Sequence, residues 1–206
     1  LKAKPEAASL TDGMEAIEKA ARQQAQLVED LLDMSRIVTG QLKMHMEIID
    51  LHEIAGDVLA AHEATARQQN KTLIGPDPEG QCYVRGDALR LIQIFSNLIS
   101  NSLKYSEKGA TIRMSFRDVG ETVEVAVQDD GIGIPSDQLA HVFDRFRQIP
   151  AAGPRRQAGL GLGLSIVDQL VQAHGGSVRA ESDGRGCGST VTVTLPRAHP
   201  KLAEED

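Results

Sequence analysis

The stretch Gln93-Ile94-Phe95-Ser96-Asn97-Leu98-Ile99-Ser100-Asn101-Ser102-Leu103-Lys104-Tyr105 is the later part of a strongly apolar helix predicted over residues 87–105. Leu91, Ile94, Phe95, Leu98 and Ile99 supply its apolar face, while Gln93, Asn97, Asn101 and Lys104 recur as a polar stripe at helical spacing. Asparagine is a poor helix former because its amide competes for backbone partners. A pair of asparagines one turn apart inside such a helix therefore points to a retained task. An amide oxygen can ligate Mg²⁺, and an ammonium can meet phosphate charge. Taken alone, a solvated polar face accounts for the stripe equally well.

Downstream, alternating strands are predicted at 110–117 and 121–128, with a turn near Val119-Gly120. They lead into Asp129-Asp130-Gly131-Ile132-Gly133-Ile134-Pro135. Asp-Gly is a strong turn dipeptide, yet Pro135-Ser136 starts a helix (about 136–145) where a hairpin would return as a strand. A carboxylate at the strand end could accept from an adenine amino group, with glycines letting the base approach the backbone. Next come Phe143 and Phe146, by default a core pair and by position a hinge for a lid, and then a stretch rich in Ala, Gly, Pro and Arg. Gly159-Leu160-Gly161-Leu162-Gly163-Leu164-Ser165 opens a helix at about 163–174. Glycines there would free backbone N–H groups and the positive end of the helix dipole for phosphate oxygens. Neither G-x-x-x-x-G-K-[ST] nor G-x-G-x-x-G occurs, which removes the main support for P-loop and Rossmann readings. Strands at 177–182 and 189–195 and a polar tail complete the chain.

Upstream, short strands are expected at 82–85 and 71–74, flanking a turn at 75–80, and a helix over 51–69. The alternation of Leu42, Met44, Met46 and Ile48 with polar residues predicts a strand over 41–49. Residues 1–10 read as a loop. Asp12 and Glu15 can form a capping box for a helix ending near Thr39-Gly40. On it Met14, Ile17, Ala21, Gln24, Val28, Leu31, Ser35 and Val38 make a heptad-like seam that calls for partner helices, although packing on its own domain would explain it too. Hairpins between helices indicate an α+β sandwich preceded by a long bundle helix.

Net charge is 22 − 29 = −7, and aromatics are 3% with no Trp, which argues against nucleic acid as a partner. Two cysteines without metal-ligand spacing favour a reducing, cytoplasmic setting. No run reaches a membrane span's length, so the chain is expected to be soluble, with room for an anchor upstream.

In order and spacing, these motifs together resemble the sensor histidine kinases, within the wider GHKL family that also holds gyrase, Hsp90 and MutL. Residues 93–105 match the asparagine motif, 129–133 and 159–163 the two glycine motifs, and Phe143 to Phe146 the phenylalanine motif. Residues 27–36 are similar to the second helix of the family's dimerisation and phosphotransfer domain. The resemblance implies a Bergerat-type two-layer α/β sandwich, a mixed sheet with helices on one face. It implies a partial dimerisation region at 1–40, a catalytic ATP-binding domain at 41–198 and a tail at 199–206. By it, Asn101 would ligate Mg²⁺, with Asn97 beside metal and phosphates and Lys104 on phosphate. Tyr105, Ile134 and Phe146 would line the nucleotide pocket, and Asp129 would take the adenine amino group within a pocket shaped by Gly131 and Gly133. Gly159, Leu160, Gly161, Leu162, Gly163 and Leu164 would hold phosphates under a lid at about 147–162. ATP and Mg²⁺ are the implied cofactors. The implied partners are a histidine-bearing dimerisation helix, a second copy of the full-length chain as a homodimer, and a response-regulator receiver domain.

Asn97 stands where gyrase-like relatives carry a glutamate that activates water, and an amide cannot take that proton. This favours transfer to histidine over hydrolysis. His52-Glu53 and His62-Glu63 mimic the family's acceptor dipeptide but follow the second helix, so both are expected to be solvated helical histidines and the acceptor to lie outside the chain. Two other readings fit: a nucleotide-regulated dimerisation module without turnover, and a serine kinase or ATPase on the same fold.

Overall fold

The computed structural model describes residues 6–78, 80, 82–148 and 160–199. Helix α1, Glu6–Val38, is followed by strand β1, Glu47–Asp50, helix α2, Leu51–Gln68, and the short strands β2, Thr72–Ile74, and β3, Tyr83–Gly86. Helix α3 then spans Ala88–Tyr105, and strands β4, Thr111–Asp118, and β5, Thr122–Asp129, form a hairpin. One turn of helix, α4 at Ser136–Leu139, precedes helix α5, Gly163–Ala173, and strands β6, Ser177–Glu181, and β7, Ser189–Pro196.

The main sheet has the order β2-β4-β5-β7-β6, parallel only between β2 and β4, and β1 pairs with β3 in a separate two-stranded ribbon. This is the mixed α+β arrangement expected from the sequence. Along β5, Val123, Val125, Val127 and Asp129 point inward and Glu124, Ala126 and Gln128 outward, as a strand's period of two dictates. The inward valines meet Leu91, Ile94, Phe95, Leu98 and Ile99 of α3 and Ile166, Val167, Leu170 and Val171 of α5 in one aliphatic core.

Three expectations change. The helix expected from about residue 12 already runs from Glu6, where residues 1–10 read as a loop; the side chains that would form the capping box lie outside the described set. The strand predicted over 41–49 is confined to Glu47–Asp50, because β3 offers only four partner residues. Residues 41–46 still alternate between exposed and half-buried, with Leu42 packed on the core. The helix predicted at 136–145 stops after one turn and gives way to turns, with Phe146 at φ +61°.

Two polar devices fix how the helices sit. Asp87 caps α3, its carboxylate accepting from Arg90 N–H at 3.2 Å and from His45 N–H at 2.9 Å. Burial pushes its carboxyl up, but the backbone N–H groups of His45 and Arg90 and the Arg90 charge more than offset this, leaving it below the usual carboxylate range. His174, buried at the end of α5, accepts at Nε2 from Asp87 N–H at 3.1 Å, with Nδ1 2.7 Å from the Leu170 carbonyl oxygen.

The seam on α1 is bare. Met14 and Ile17 are 70% and 71% exposed, and Val28 and Leu31 are exposed as well. Near its C-terminal end α1 nonetheless meets the domain, where Met34 is buried and Ile37 packs on the core. Among the described residues no helix is long and apolar enough to cross a membrane.

Candidate functional site

A pocket opens between α3, the loop after β5 and the start of α5. Its floor is Asp129, only 7% exposed. One carboxylate oxygen accepts from Ser102 Oγ at 3.0 Å and Ser189 Oγ at 2.9 Å, and the other from Gly131 N–H at 2.9 Å. An acceptor-only group held on three sides has its remaining lone-pair capacity aimed at whatever enters. Around it Leu98, Ile132, Ile134, Val142, Leu164 and Val191 give an apolar lining suited to a flat heterocycle.

The loop 130–135 is stitched into place. Ile132 N–H donates to Tyr105 O at 3.0 Å, Gly186 N–H to Ile132 O at 2.8 Å, and Ile134 N–H to Ser182 Oγ at 2.9 Å. Gly133 sits at φ +68°, and a Cβ there would overlap the Gly184 carbonyl oxygen, so this position requires glycine. A Cβ on Gly131 would come within 2.5 Å of the Asp129 carboxylate.

The other end of the pocket carries the polar stripe. Asn101 and Tyr105 line it, while Lys104 donates to the Tyr105 hydroxyl at 3.0 Å, with its ammonium 4.7 Å from that ring's centre. Asn97 is half-buried and its Nδ2 is buried without a hydrogen-bond partner. A Cβ built on Gly163 would lie 3.8 Å from both the Asn97 and Asn101 amides, so the start of α5 faces the two asparagines across a narrow gap. No side chain caps α5, which leaves its first N–H groups to an anion. Gly161, at φ +72°, is tied to the phenylalanine segment by a 3.0 Å bond from Phe146 N–H to its carbonyl.

The sequence-derived residues fall into three groups. Asn101, Tyr105, Asp129, Gly133, Ile134, Gly161 and Leu164 share the pocket wall. Asn97, Lys104, Gly131 and Gly163 border it without lining it. Leu162 is buried in the core, Leu160 and Phe146 are 36% and 63% exposed, and Phe146 points to a separate shallow depression; Gly159 lies outside the described residues, as does much of the lid expected at 147–162. Sequence reading passed over Ser102, Ser189 and Arg147. Ser102 was legible, since Leu98, Asn101, Ser102 and Tyr105 share one helical face. Ser189 becomes visible only through its pairing opposite Asp129 in the β5–β7 ladder. Gln93 of the stripe faces α1 and not the pocket, its Nε2 donating to Asp33 Oδ2 at 2.8 Å.

Residues 86–199 match the family described as Histidine kinase-, DNA gyrase B-, and HSP90-like ATPase. The chain belongs to that family. Over 173 residues this ATPase-family chain is 38% identical to the sensor histidine kinase WalK of Bacillus subtilis, covering 82% of the chain and 28% of WalK. The mycobacterial sensor histidine kinase MprB superposes with a TM-score of 0.63 at 26% identity, over 76% of this chain and all of that one. Full-length ShkA in complex with AMPPNP gives a TM-score of 0.79 over 97% of this chain and 41% of ShkA; at 24% identity that likeness is one of fold. The chain spans less than half the length of the curated relatives it matches. It carries the ATPase domain found in sensor histidine kinases.

The residues present suit a magnesium ion. Among those described, no three His, Cys, Asp or Glu side chains cluster as a metal cage. Magnesium instead favours a few hard oxygen ligands shared with nucleotide phosphates, and the paired amides facing Gly163 offer that donor set beside an amide nitrogen lacking a partner.

Proposed function

We propose that this chain is the catalytic, ATP-binding part of a sensor histidine kinase in a two-component system, passing the γ-phosphoryl group of Mg-ATP to a histidine outside these 206 residues. One observation carries the reading: a buried carboxylate on the floor of an apolar pocket lies at one end of a helix face whose other end presents two amides to an uncapped helix start. The first end suits a purine amino group and the second suits phosphates.

In this reading Asp129 accepts from the adenine amino group, with Ser102 and Ser189 fixing its carboxylate. Ile132, Ile134 and Val191 cover the base, Tyr105 closes the side, and Gly161 to Leu164 present backbone N–H groups to the phosphates. Asn101 supplies the oxygen that holds Mg²⁺, Asn97 turns its free amide to a phosphate oxygen, and Lys104 swings from Tyr105 onto the phosphates. Bound magnesium would neutralise charge shared by the β- and γ-phosphates. Transfer of this kind needs alignment and charge stabilisation more than covalent help from protein groups. With an amide at Asn97, no side chain there can take a proton from water, so hydrolysis is disfavoured.

His52 is engaged on both ring nitrogens, with Asp50 at 3.1 Å and the Asp77 carbonyl at 3.1 Å, and His62 Nδ1 lies 2.8 Å from the Val58 carbonyl oxygen. Neither suits an acceptor, which favours one on an upstream helix. The exposed α1 seam supports a helical bundle shared with that helix and a second copy of the full-length chain, and membership of a sensor-kinase family supports a receiver domain as the next acceptor. Residues 1–40 would then be a dimerisation segment and 41–198 the catalytic domain. The decisive experiment incubates the chain with γ-labelled ATP and Mg²⁺, with and without a separately supplied histidine-bearing helix. Acid-labile label on that helix supports the kinase; ATP binding with no label would instead make the chain a nucleotide-binding regulatory module.

A further inference from the structure

Helices α3 and α5 pack on each other within the aliphatic core, Leu91, Ile94 and Leu98 on one and Ile166, Val167 and Leu170 on the other. Apolar burial is non-directional, so it holds the helices together without itself fixing how far one stands along the other. A directional tie comes from the residues that flank them. His174, 4% exposed at the end of α5, accepts at Nε2 from the N–H of Asp87, the cap of α3, at 3.1 Å. An acceptor at Nε2 puts the ring proton on Nδ1, which stands 2.7 Å from the Leu170 carbonyl oxygen, so one neutral tautomer serves both bonds. The ring is boxed in as well: a Cβ on Gly86 of β3 would lie 2.9 Å from its Cδ2.

This tie is remote from the pocket yet in line with it. Asn97 lies ten residues past Asp87 along α3, and Gly163 lies eleven before His174 along α5. At 1.5 Å per residue both spans are about 15–17 Å. The helices are thus two antiparallel sides of nearly equal length, joined at Asp87 and His174 and facing each other across Asn97 and Gly163. A slip of His174 along Asp87 moves Gly163 past Asn97 by a similar distance. The base end is held by other means. Asp129 is fixed by Ser102, Ser189 and Gly131, and the loop after it by Tyr105, Ser182 and Gly186, with no part for His174.

We propose that His174 is a positioning residue for the phosphates: through Asp87 it sets how far the first N–H groups of α5 stand from the Asn97 and Asn101 amides, and so governs affinity for a nucleotide's phosphates and not for its base. This rests on the reading of the pocket as a nucleotide site given above.

The test uses three variants of the full 206-residue chain. His174→Phe keeps an aromatic ring and removes the acceptor. His174→Gln restores an acceptor, its Oε1, toward Asp87 N–H. Gly86→Ala leaves His174 intact and presses a methyl group against its ring. Calorimetry gives the affinity of each for Mg-ATP and for adenosine, with the ligand-free melting temperature as a check on folding. His174→Phe and Gly86→Ala should lose about ten-fold or more in Mg-ATP affinity, the size of one hydrogen bond to a charged group, while adenosine affinity stays level. His174→Gln should recover most of that loss. A merely structural role would weaken both ligands alike, and that outcome overturns the proposal. Unchanged Mg-ATP affinity in both His174→Phe and Gly86→Ala overturns it too, as does a His174→Gln variant no better than His174→Phe. Should His174→Phe fail to fold, Gly86→Ala decides by the same split between the two ligands. If the unaltered chain binds Mg-ATP no more tightly than adenosine, the nucleotide-site reading fails and the role of His174 with it.

Discussion

Replacing Asp129 by Asn keeps the shape of the pocket floor and removes its charge. The carboxylate now accepts from two serine hydroxyls and one backbone N–H, all within 2.9–3.0 Å. An amide presents one oxygen and one NH₂: with its oxygen toward Gly131 N–H both serine hydroxyls must turn to accept from the NH₂, and with its oxygen toward the serines the NH₂ opposes Gly131 N–H, so the group facing the ligand becomes ambiguous. What is lost is a hydrogen bond from the adenine amino group to a charged, water-excluded acceptor, worth about 1.5–3 kcal/mol. At a factor of ten per 1.4 kcal/mol, ATP affinity should fall roughly 10- to 150-fold. GTP offers a carbonyl in place of the amino group, so it should lose little or gain, and the ATP/GTP preference should collapse. Calorimetric titration of both nucleotides, with the ligand-free melting temperature as a check on folding, measures this. An equal loss for both nucleotides at an unchanged melting temperature would refute the role given to the carboxylate.

Asn101→Ala should abolish the Mg²⁺ dependence of ATP binding, read as identical isotherms with magnesium and with chelator; a retained magnesium effect removes Asn101 as the ligand. Gly133→Ala forces a Cβ onto the Gly184 carbonyl at φ +68° and costs at least about 1–2 kcal/mol, seen as a melting temperature lower by roughly 2 °C or more. Asp87, held below the ordinary carboxylate value near 4, contributes stability that is fully present above that pH and drains away as pH falls through its folded-state value. Asp87→Ala should cost about 0.5–2 kcal/mol at neutral pH and flatten the acid limb of a urea-midpoint profile; an unchanged limb would show that other groups set it.

Elements whose pattern is repeated over many residues were legible in advance. Helix α3 falls within one residue of its expected limits because its apolar face, its Asp87 cap and the turn after Tyr105 all agree. Residues 41–46 show how a pattern can be right and its meaning wrong: their alternation reflects one side of an extended segment lying on the domain, with no neighbouring strand to pair with. The helix at 136–145 is cut to Ser136–Leu139 and passes into tight turns closed by bonds from His141 N–H to Gln138 O and from Asp144 N–H to His141 O, with no Gly or Pro between Leu139 and Phe146 to signal the break in the sequence. In the site, many of the residues that gather at the pocket were visible through motif order, whereas Ser189 and the contact of Gln93 with Asp33 depend on pairings between residues 60 apart in sequence. Such pairings exist only once the sheet and helices are assembled.

His174 links the last turn of α5 to the residue that caps α3. The helix presenting amides and the helix presenting backbone N–H groups are thus cross-braced at the end opposite the pocket, and the gap between Asn97 and Gly163 is set by a rigid frame. If the proposed kinase takes a stimulus along α1, the whole frame would move as cargo without altering its internal dimensions. Sensing and nucleotide recognition would be separable traits, open to change in one without retuning the other.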